Sequence, residues 1–346
     1  MKTVSSASER LRLYYREQPF LLAPMAGVTD AAYRIMCRRH GAKMAFSEMV
    51  SVAGLAYRSE KTWDLVLPAA EEPQICVQLF GSKPEQFASA VEAVEERVGE
   101  KLSSIDINMA CPARKVVTKG EGSALMRDPE LAAQIAAAAV GRAHVPVTCK
   151  MRIGYAAGER VAPDFAARLE QAGVSGVAVH GRFATQLYTG VADWSIIDDV
   201  ASRIDIPVVG SGDVFSAEDA VRILTTTAAS GAFIARGTYG NPWVFEDAMN
   251  MLQGNPVQPH TELERLDALR EHLRLLRAHD AHMARARTFA TWYLKGMAHA
   301  AAWRGRVVRC QTFEDFMQLV DLIEEDVRVC AALKAEGQAV PALFEM

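Results

Sequence analysis

The stretch PVVGSGDVFSAEDAVRILTTTAASGAFIARG, residues 207–237, contains one structural unit that recurs along the chain. Two short apolar runs begin at Pro207 and Ala232, and a segment with helical periodicity lies between them at 217–224. Nearly continuous apolar runs are typical of parallel strands, because helices cover both faces of a parallel sheet. The stretch therefore predicts a strand, a helix and a second, parallel strand.

The same unit repeats through the first two thirds of the chain. Further apolar runs begin near Phe20, Lys43, Gln74, Ser104, Pro146 and Gly176. Helix-like segments lie between them at 84–98, 128–141 and 163–172. Eight units at a spacing of roughly 30 residues predict a (β/α)8 TIM barrel. An open doubly wound sheet is the alternative, but no GxGxxG motif follows the first strand, as a dinucleotide-binding half would need.

The pattern changes after Gly254 and the two prolines that follow it. Thr261 and Glu264 form a predicted capping box, which opens a helix. One face of that helix carries Leu266, Leu269, Leu273, Leu276 and Met283. No strand signal follows. We predict a catalytic barrel over residues 1–255 and an all-helical domain of three or four helices over 256–346.

The composition is that of an ordinary soluble enzyme: 346 residues, half of them hydrophobic, with a net charge of -4. The apolar run at 131–140 is shorter than the roughly 20 residues that span a bilayer, so no membrane contact is expected. Residues 1–12 are polar and show no signal-peptide core, which predicts a cytoplasmic protein. The six cysteines form no Cys-x-x-Cys pair, so we expect neither a disulfide framework nor a metal. A monomer is expected by default.

Charge is distributed unevenly along the chain. Residues 260–310 carry 10 Lys and Arg against 5 acidic residues, which leaves -9 on the remainder. An arginine-rich helical surface is typical of a nucleic-acid contact. Arg285 and Arg287 are predicted to contribute to it.

Candidate site residues, most of them polar or glycine, lie at the C-terminal end of nearly every predicted strand, where the active sites of barrels are found. They are Pro24, Met25, Ala26, Gly27, Glu48, Gln78, Asn108, Cys111, Lys150, Arg152, His180, Arg182, Ser211, Gly212, Asp213, Arg236 and Gly237. The glycines and Arg236 after strands 7 and 8 predict a phosphate site, since glycine lets backbone N–H groups approach and arginine supplies charge. Two tight turns with a solvated arginine are the alternative.

Three side chains suggest the chemistry. Lys150 lies in an apolar strand, where an unpaired ammonium is costly, so it needs a partner: the anionic ring of a reduced flavin, a carbonyl that forms a Schiff base with it, or an ion pair with Glu48 or Asp106. Cys111 lies in a loop, and a thiol that is mostly protonated at neutral pH can act as a general acid or a nucleophile, or simply pack as a small hydrophobe. His180 could orient a ligand, shuttle a proton or be a core histidine.

The motifs together resemble the tRNA-dihydrouridine synthase family, most of all its bacterial B-type branch. They are LAPMAGVTD (22–30), FSEMV (46–50), VQLFGS (77–82), IDINMACPARKV (105–116), CKMRIG (149–154), VHGR (179–182), GSGD (210–213) and ARGTYGNPW (235–243). The resemblance covers essentially the whole predicted barrel. It implies an enzyme that uses NADPH and bound FMN to reduce the C5=C6 bond of a uridine in tRNA.

The resemblance also implies roles for individual residues. Cys111 would protonate uracil C5 while a hydride reaches C6 from the flavin. FMN would be held by Pro24, Met25, Ala26, Gln78, Lys150, His180, Ser211, Gly212, Asp213, Ala235, Arg236 and Gly237. The uridine and its phosphate would meet Asn108, Arg182, Arg114 and Lys115. The chain departs from the family pattern at Ala110, Ser211 and Ala235, where the family usually has glycine, asparagine and glycine; the side-chain contact of Ser211 with FMN is therefore in doubt.

Three other functions remain open. An FMN enzyme acting on free pyrimidines would have no need of the arginine-rich domain. A lyase forming a Schiff base on Lys150 would be colourless. A barrel that only binds RNA would bind tRNA without flavin.

Overall fold

The computed structural model describes residues 6–57 and 60–340. Its strands are β1 (Phe20–Leu22), β2 (Phe46–Ser51), β3 (Ile75–Phe80), β4 (Leu102–Met109), β5 (Val147–Arg152), β6 (Gly176–His180), β7 (Val208–Ser211) and β8 (Gly231–Ile234). Over the described residues these eight strands form one parallel sheet in the order β1-β8-β7-β6-β5-β4-β3-β2. Each predicted apolar run forms a strand, although β2 begins at Phe46 rather than near Lys43.

The sheet closes between β1 and β2. Leu22 and Ala45 form an isolated parallel bridge, and the Leu22 N–H donates to the Met44 carbonyl at 3.1 Å. The structure is therefore a TIM barrel, as the strand spacing predicts.

The helices of the barrel mostly alternate with its strands. They are α1 (Ser6–Glu17), α2 (Ala31–Arg39), α3 (Val52–Ala56), α4 (Glu60–Trp63), α5 (Pro84–Val98), α6 (Arg114–Val117), α7 (Pro129–Val140), α8 (Ala162–Gln171), α9 (Trp194–Arg203), α10 (Ala217–Thr226) and α11 (Val244–Leu252). Within the described ranges, no helix has the length and apolar character needed to cross a bilayer.

Side chains alternate between the two faces of each strand. Outward residues such as Val77, Ile105 and Ile107 are fully buried beneath the surrounding helices. Inward residues of the lower barrel, among them Phe46 and Phe233, form a second apolar cluster. Leu11 and Tyr15 of α1 belong to that inner cluster, so α1 closes the N-terminal end of the barrel. The open end is therefore the one that carries the polar strand ends.

Four helices follow the barrel in the described part of the chain: α12 (Glu262–Ala278), α13 (Ala284–Tyr293), α14 (Ala300–Val307) and α15 (Phe313–Ala335). The predicted capping box opens α12, since the Thr261 side chain accepts from the Glu264 N–H and the Glu264 carboxylate accepts from the Thr261 N–H at 2.7 Å. The predicted domain boundary falls in the connection between α11 and α12. Residues 1–5 and 341–346 of the two predicted domains lie outside the described residues.

The prediction that Met283 shares the apolar face of α12 is wrong. The helix ends at Ala278, His279 caps it, and Asp280 takes a positive φ of 50°, which turns the chain away from the helix axis. Met283 instead precedes α13 as its N-terminal cap residue.

Aromatic side chains attach the helical domain to the barrel. The Tyr33 ring of α2 lies 5.4 Å from the rings of His272 and Phe289. Tyr239, just after β8, stacks on Trp292 with ring centroids 3.7 Å apart. Such contacts bury large apolar area in a defined geometry. The helical domain is thereby held against the open end of the barrel.

A buried ion pair braces the loop after β1. Arg34 donates to both carboxylate oxygens of Glu72, at 2.8 and 2.6 Å, and also to the Thr29 carbonyl at 2.9 Å. Burial would raise the pKa of Glu72, but these hydrogen bonds hold it below its ordinary value. The pair fixes α2 and, through Thr29, the loop that precedes it.

We predict that Glu72→Gln lowers the free energy of unfolding by roughly 3–5 kcal/mol, because it leaves the Arg34 guanidinium buried without a counter-charge. Glu71→Gln is the control, since Glu71 is exposed and its substitution should change stability by less than about 0.5 kcal/mol. Urea unfolding of both variants measures the difference. Equal stabilities would contradict the bracing role.

Candidate active site

A cavity of about 540 Å³ opens at the C-terminal ends of the strands. The predicted site residues that line it are Pro24, Met25, Ala26, Gln78, Asn108, Cys111, Lys150, His180, Ser211, Gly212, Asp213, Ala235 and Arg236. Arg182, Gly237, Arg114 and Lys115 are not among the lining residues. The strand-end pattern thus gathers most of the predicted residues around one space.

A chain of hydrogen bonds connects the barrel interior to the Cys111 loop. The buried Asp106 carboxylate accepts from Gln78 Nε2 at 2.7 Å and from the Thr148 hydroxyl at 2.6 Å. The Gln78 Oε1 atom accepts from Asn108 Nδ2 at 2.8 Å. Asn108 Oδ1 in turn accepts from the N–H groups of Ala110 and Cys111 at 3.1 and 2.9 Å. Asn108 therefore positions the backbone that carries the Cys111 thiol.

Arg152 braces the same loop from the other side. Its Nε donates to the Ala110 carbonyl at 2.9 Å, and its Nη1 donates to the Phe183 carbonyl at 2.8 Å. The side chain is almost fully buried. The sequence pattern placed Arg152 at a strand end without giving it a role, and only its buried contacts reveal that it joins the loops after β4 and β6.

Lys150 has neither of the ion-pair partners considered from the sequence. Glu48 pairs with Arg285 at 2.9 Å, and the two oxygens of Asp106 are held by Gln78 and Thr148. Burial, together with the charge of Arg152, lowers the pKa of Lys150 to about 8, although Asp106 acts in the opposite direction. Burial also raises the pKa of Asp106 to about 6. Lys150 thus remains cationic at neutral pH and faces the cavity.

His180 is a neutral imidazole in this surrounding. Burial, followed by the charges of Lys150 and Arg152, lowers its pKa to about 2. Its Nε2 atom is buried without a hydrogen-bond partner among the described residues. A buried ring nitrogen in this state costs free energy unless a ligand satisfies it.

Gly212 lies directly against His180. Its φ is 109°, and a Cβ atom there would lie 2.9 Å from His180 Cδ2 and 2.8 Å from Ala192 Cβ. Any side chain would therefore push into the histidine. Only glycine permits this close turn after β7.

Asp213 organises the arginines beside this turn. Its carboxylate accepts from Arg182 Nη2 at 2.7 Å and from the Ala192 N–H at 2.8 Å, and Arg236 Nη2 lies 3.5 Å away. Burial would raise the pKa of Asp213, but the hydrogen bonds from Arg182 and Ala192 keep it lowered. Arg182 also donates to the Thr189 and Gly190 carbonyls, so it is enclosed by protein.

Positive charge and aromatic rings flank the cavity. Arg236 lies 5.1 Å from the Tyr188 ring centroid and 4.9 Å from that of Phe215. Arg114 and Lys115 begin α6, directly after the Cys111 loop, and both side chains are exposed. Tyr188 and Phe215 were missed in the sequence, because an aromatic residue in a loop gives no signal by itself.

Arg285 links the helical domain to the loop after β1. Its Nη1 donates to Asp30 Oδ2 and to Glu48 Oε1, both at 2.9 Å. Glu48 Oε2 accepts from the Gly27 N–H in the loop that lines the cavity. Arg287 likewise points inward, since its Nε donates to the Cys310 carbonyl at 2.9 Å. Both arginines that were predicted to contact RNA therefore already bond to other parts of the protein.

Comparison with known proteins identifies the relatives of this chain. A family model described as "Dihydrouridine synthase (Dus)" matches residues 21–330. The chain is 38% identical to "tRNA-dihydrouridine synthase B" of Xanthomonas axonopodis pv. citri, over 84% of this chain and 88% of that protein. Proteins of the same name are 37% identical in Pseudomonas putida, over 86% and 88% of the two chains, and 36% identical in Pseudomonas aeruginosa, over 87% and 91%.

We predict that Arg285→Ala lowers the free energy of unfolding by roughly 1–3 kcal/mol, because it leaves Asp30 and Glu48 without their shared cation. The loss is smaller than for a fully buried pair, since the Arg285 side chain is 32% exposed. It should also speed hydrogen exchange at the Gly27 amide, which shares Glu48.

Arg274→Ala is the matched control, because it removes an exposed arginine of α12. Urea unfolding and hydrogen exchange measure both variants. Unchanged exchange at Gly27 in Arg285→Ala would show that the contact does not hold the loop.

Proposed function

Because the chain belongs to the dihydrouridine synthase family, we propose that it reduces the C5=C6 bond of specific uridines in tRNA to 5,6-dihydrouridine, using bound FMN and NADPH. The observation that carries the proposal is the arrangement of the cavity. A glycine turn with Arg236, a buried cationic Lys150 and a loop-mounted Cys111 surround one space of about 540 Å³. A tRNA substrate also implies that the enzyme works in the cytoplasm.

The residues present suit FMN. His180 offers a ring nitrogen that is buried without a partner in the described part of the chain, and Gly212 keeps clear a space that any side chain would fill. Arg236 supplies charge for a phosphate, and its pairing with Asp213 is loose at 3.5 Å. FMN, when bound, would supply a hydride to uracil C6 after receiving it from NADPH.

Lys150 and Gln78 would lie against the flavin ring. Burial lowers the pKa of Lys150 to about 8, so the amine is mostly protonated at neutral pH. A buried cation stabilises negative charge on a neighbouring ring more strongly than it could in water. Pro24, Met25 and Ala26 would contact the ring from the loop that Glu48 holds.

Cys111 would donate the proton to uracil C5. A thiol is mostly protonated at neutral pH and can serve as a positioned acid. The hydrogen bonds of Asn108 and Arg152 to its loop fix where the thiol stands. Asn108 would act on the uridine partly by positioning the Cys111 loop. Arg182 would act partly by positioning Asp213, since Asp213 and the carbonyls of Thr189 and Gly190 enclose it.

The proposed RNA contact involves a small basic surface and not the whole helical domain. The excess of positive charge in residues 260–310 is balanced by residues 311–340, which carry 7 acidic against 2 basic side chains. Five arginines within residues 260–310 already bond to protein: Arg265, Arg270, Arg277, Arg285 and Arg287. The exposed Arg114 and Lys115 at the cavity rim are therefore proposed as the first contacts with tRNA phosphates.

The proposal is tested by the absorbance spectrum of the purified protein, by bleaching with NADPH, and by reoxidation with tRNA or free uracil. A yellow protein that tRNA reoxidises and uracil does not is expected. Reoxidation by uracil alone would indicate a reductase of free pyrimidines. A colourless protein that FMN cannot reconstitute would overturn the proposal and direct attention to a Schiff base on Lys150, which borohydride traps.

Cys111→Ala should retain FMN and tRNA affinity but lose most dihydrouridine formation, because no acid then stands at uracil C5. General acid catalysis typically contributes about 10²–10⁴-fold, and the loss should fall in that range. Cys310→Ala, which removes a cysteine of the helical domain, is the control. Dihydrouridine is measured in tRNA after single-turnover reaction, and undiminished turnover by Cys111→Ala would refute its role.

Replacing Arg114 and Lys115 together by alanine should weaken tRNA binding and reduce the slope of log affinity against log salt by about 1 for each phosphate that the protein no longer neutralises. The control replaces Arg10 and Lys43, two exposed basic residues at the N-terminal end of the barrel, and leaves the total charge the same. FMN content should be unchanged in both. Equal salt slopes in the two double variants would place the RNA contact elsewhere.

A further inference from the structure

Three metal-ligating side chains meet inside the helical domain, away from the cavity. His299 precedes α14, and Asp326 and Cys330 lie one turn apart on α15. His299 Nδ1 lies 3.0 Å from Asp326 Oδ1 and 2.9 Å from Oδ2. Cys330 Sγ lies 3.5 Å from Oδ1, and Sγ and Nδ1 are 3.9 Å apart. The side chain of Asp326 is 3% exposed and that of His299 is 14% exposed.

We propose that this cluster binds one zinc ion through His299 Nδ1, Asp326 Oδ1 and Cys330 Sγ. A tetrahedral zinc with bonds of about 2.0 Å to nitrogen and oxygen and about 2.3 Å to sulfur holds its ligand atoms about 3.3–3.5 Å apart. The three observed separations bracket that range. Each ligand atom therefore has to move by only a few tenths of an ångström to accept the ion.

The chemistry of the ligands favours zinc over harder ions. Imidazole, carboxylate and thiolate are each ligands that zinc takes, whereas calcium and magnesium take oxygen ligands. A thiolate and a carboxylate also balance the charge of a divalent ion in a buried place. A water molecule would complete the tetrahedron as the fourth ligand.

Trp303 supplies the outer support that metal ligands usually have. Its Nε1 donates to Asp326 Oδ2 at 2.7 Å, which orients the carboxylate so that Oδ1 faces the cysteine. Ligating carboxylates are commonly held by such second hydrogen bonds. Zinc here would fasten the start of α14 to α15, and thus stabilise the outer half of the helical domain.

The ligands escape a search for short motifs, because His299 and Asp326 are 27 residues apart. Only Asp326 and Cys330 are close in sequence, and they share a face of α15 through their spacing of four residues. The absence of a Cys-x-x-Cys pair, which predicted a protein without metal, therefore does not bear on this cluster.

The test is equilibrium dialysis of the full-length protein against zinc, with zinc counted per chain and its surroundings measured by X-ray absorption at the zinc edge. One zinc per chain is expected, bound to a single sulfur and otherwise to nitrogen or oxygen. Chelation should lower the unfolding temperature. These measurements do not depend on flavin or on tRNA reduction. A negative zinc result would therefore leave the proposed function untouched, and loss of the proposed function would leave the zinc site untouched.

Cys330→Ser keeps the shape of the side chain and should weaken zinc affinity by about tenfold or more. Trp303→Phe removes only the supporting N–H and should weaken it by roughly 10–100-fold. Cys310→Ser, in the same domain but outside the cluster, should bind zinc as the unmodified chain does. Absence of retained zinc in the unmodified chain, or equal affinity in Cys330→Ser, would overturn the proposal and leave a purely hydrogen-bonded cluster.

Discussion

The Asp106 carboxylate, buried in the middle of the barrel, is the constraint on which the site depends. A buried carboxylate is costly unless hydrogen bonds satisfy it, and β3 and β5 supply them from Gln78 and Thr148. Because the Gln78 amide nitrogen donates to Asp106, the Gln78 amide oxygen is turned toward Asn108 and accepts from its Nδ2. Asn108 then presents its own oxygen to the backbone of the Cys111 loop. The thiol is thus positioned by a chain of bonds that begins at the barrel axis.

Nearer the open end of the barrel, two groups that line the cavity find no hydrogen-bond partner among the described residues. Lys150 and His180 stand on β5 and β6, where inward-pointing positions reach the open end of the barrel. A buried amine with a pKa lowered to about 8 and a buried imidazole nitrogen without a hydrogen bond are both unfavourable in the free protein. A bound ligand that satisfies both would recover that free energy. Lys150 and His180 are therefore the residues best suited to hold a polar ring.

The sequence predicts what depends on local pattern. The eight strands follow from nearly continuous apolar runs that recur at a spacing of roughly 30 residues, and the capping box follows from Thr261 and Glu264 three residues later. The gathering of strand-end residues follows from the rule that parallel strands end on one side of a barrel. Contacts between distant residues could not be predicted in this way. Arg182 was expected to face a ligand, but Asp213, Thr189 and Gly190 enclose it. The acidic side chains of residues 311–340, which balance the positive charge of residues 260–310, are visible in the sequence but lie outside the arginine-rich stretch that suggested an RNA surface.

The contact between the barrel and the helical domain also shapes the cavity. Arg285 of α13 holds Glu48, and the other oxygen of Glu48 holds the Gly27 N–H in the loop that lines the cavity. Tyr239, which stacks on Trp292, lies two residues after Gly237 in the turn that follows β8. Two of the loops around the cavity are therefore fixed by side chains of the helical domain. A substrate large enough to touch both the barrel and the helical domain would contact the same side chains that set the shape of the cavity. A small substrate would contact the cavity walls alone.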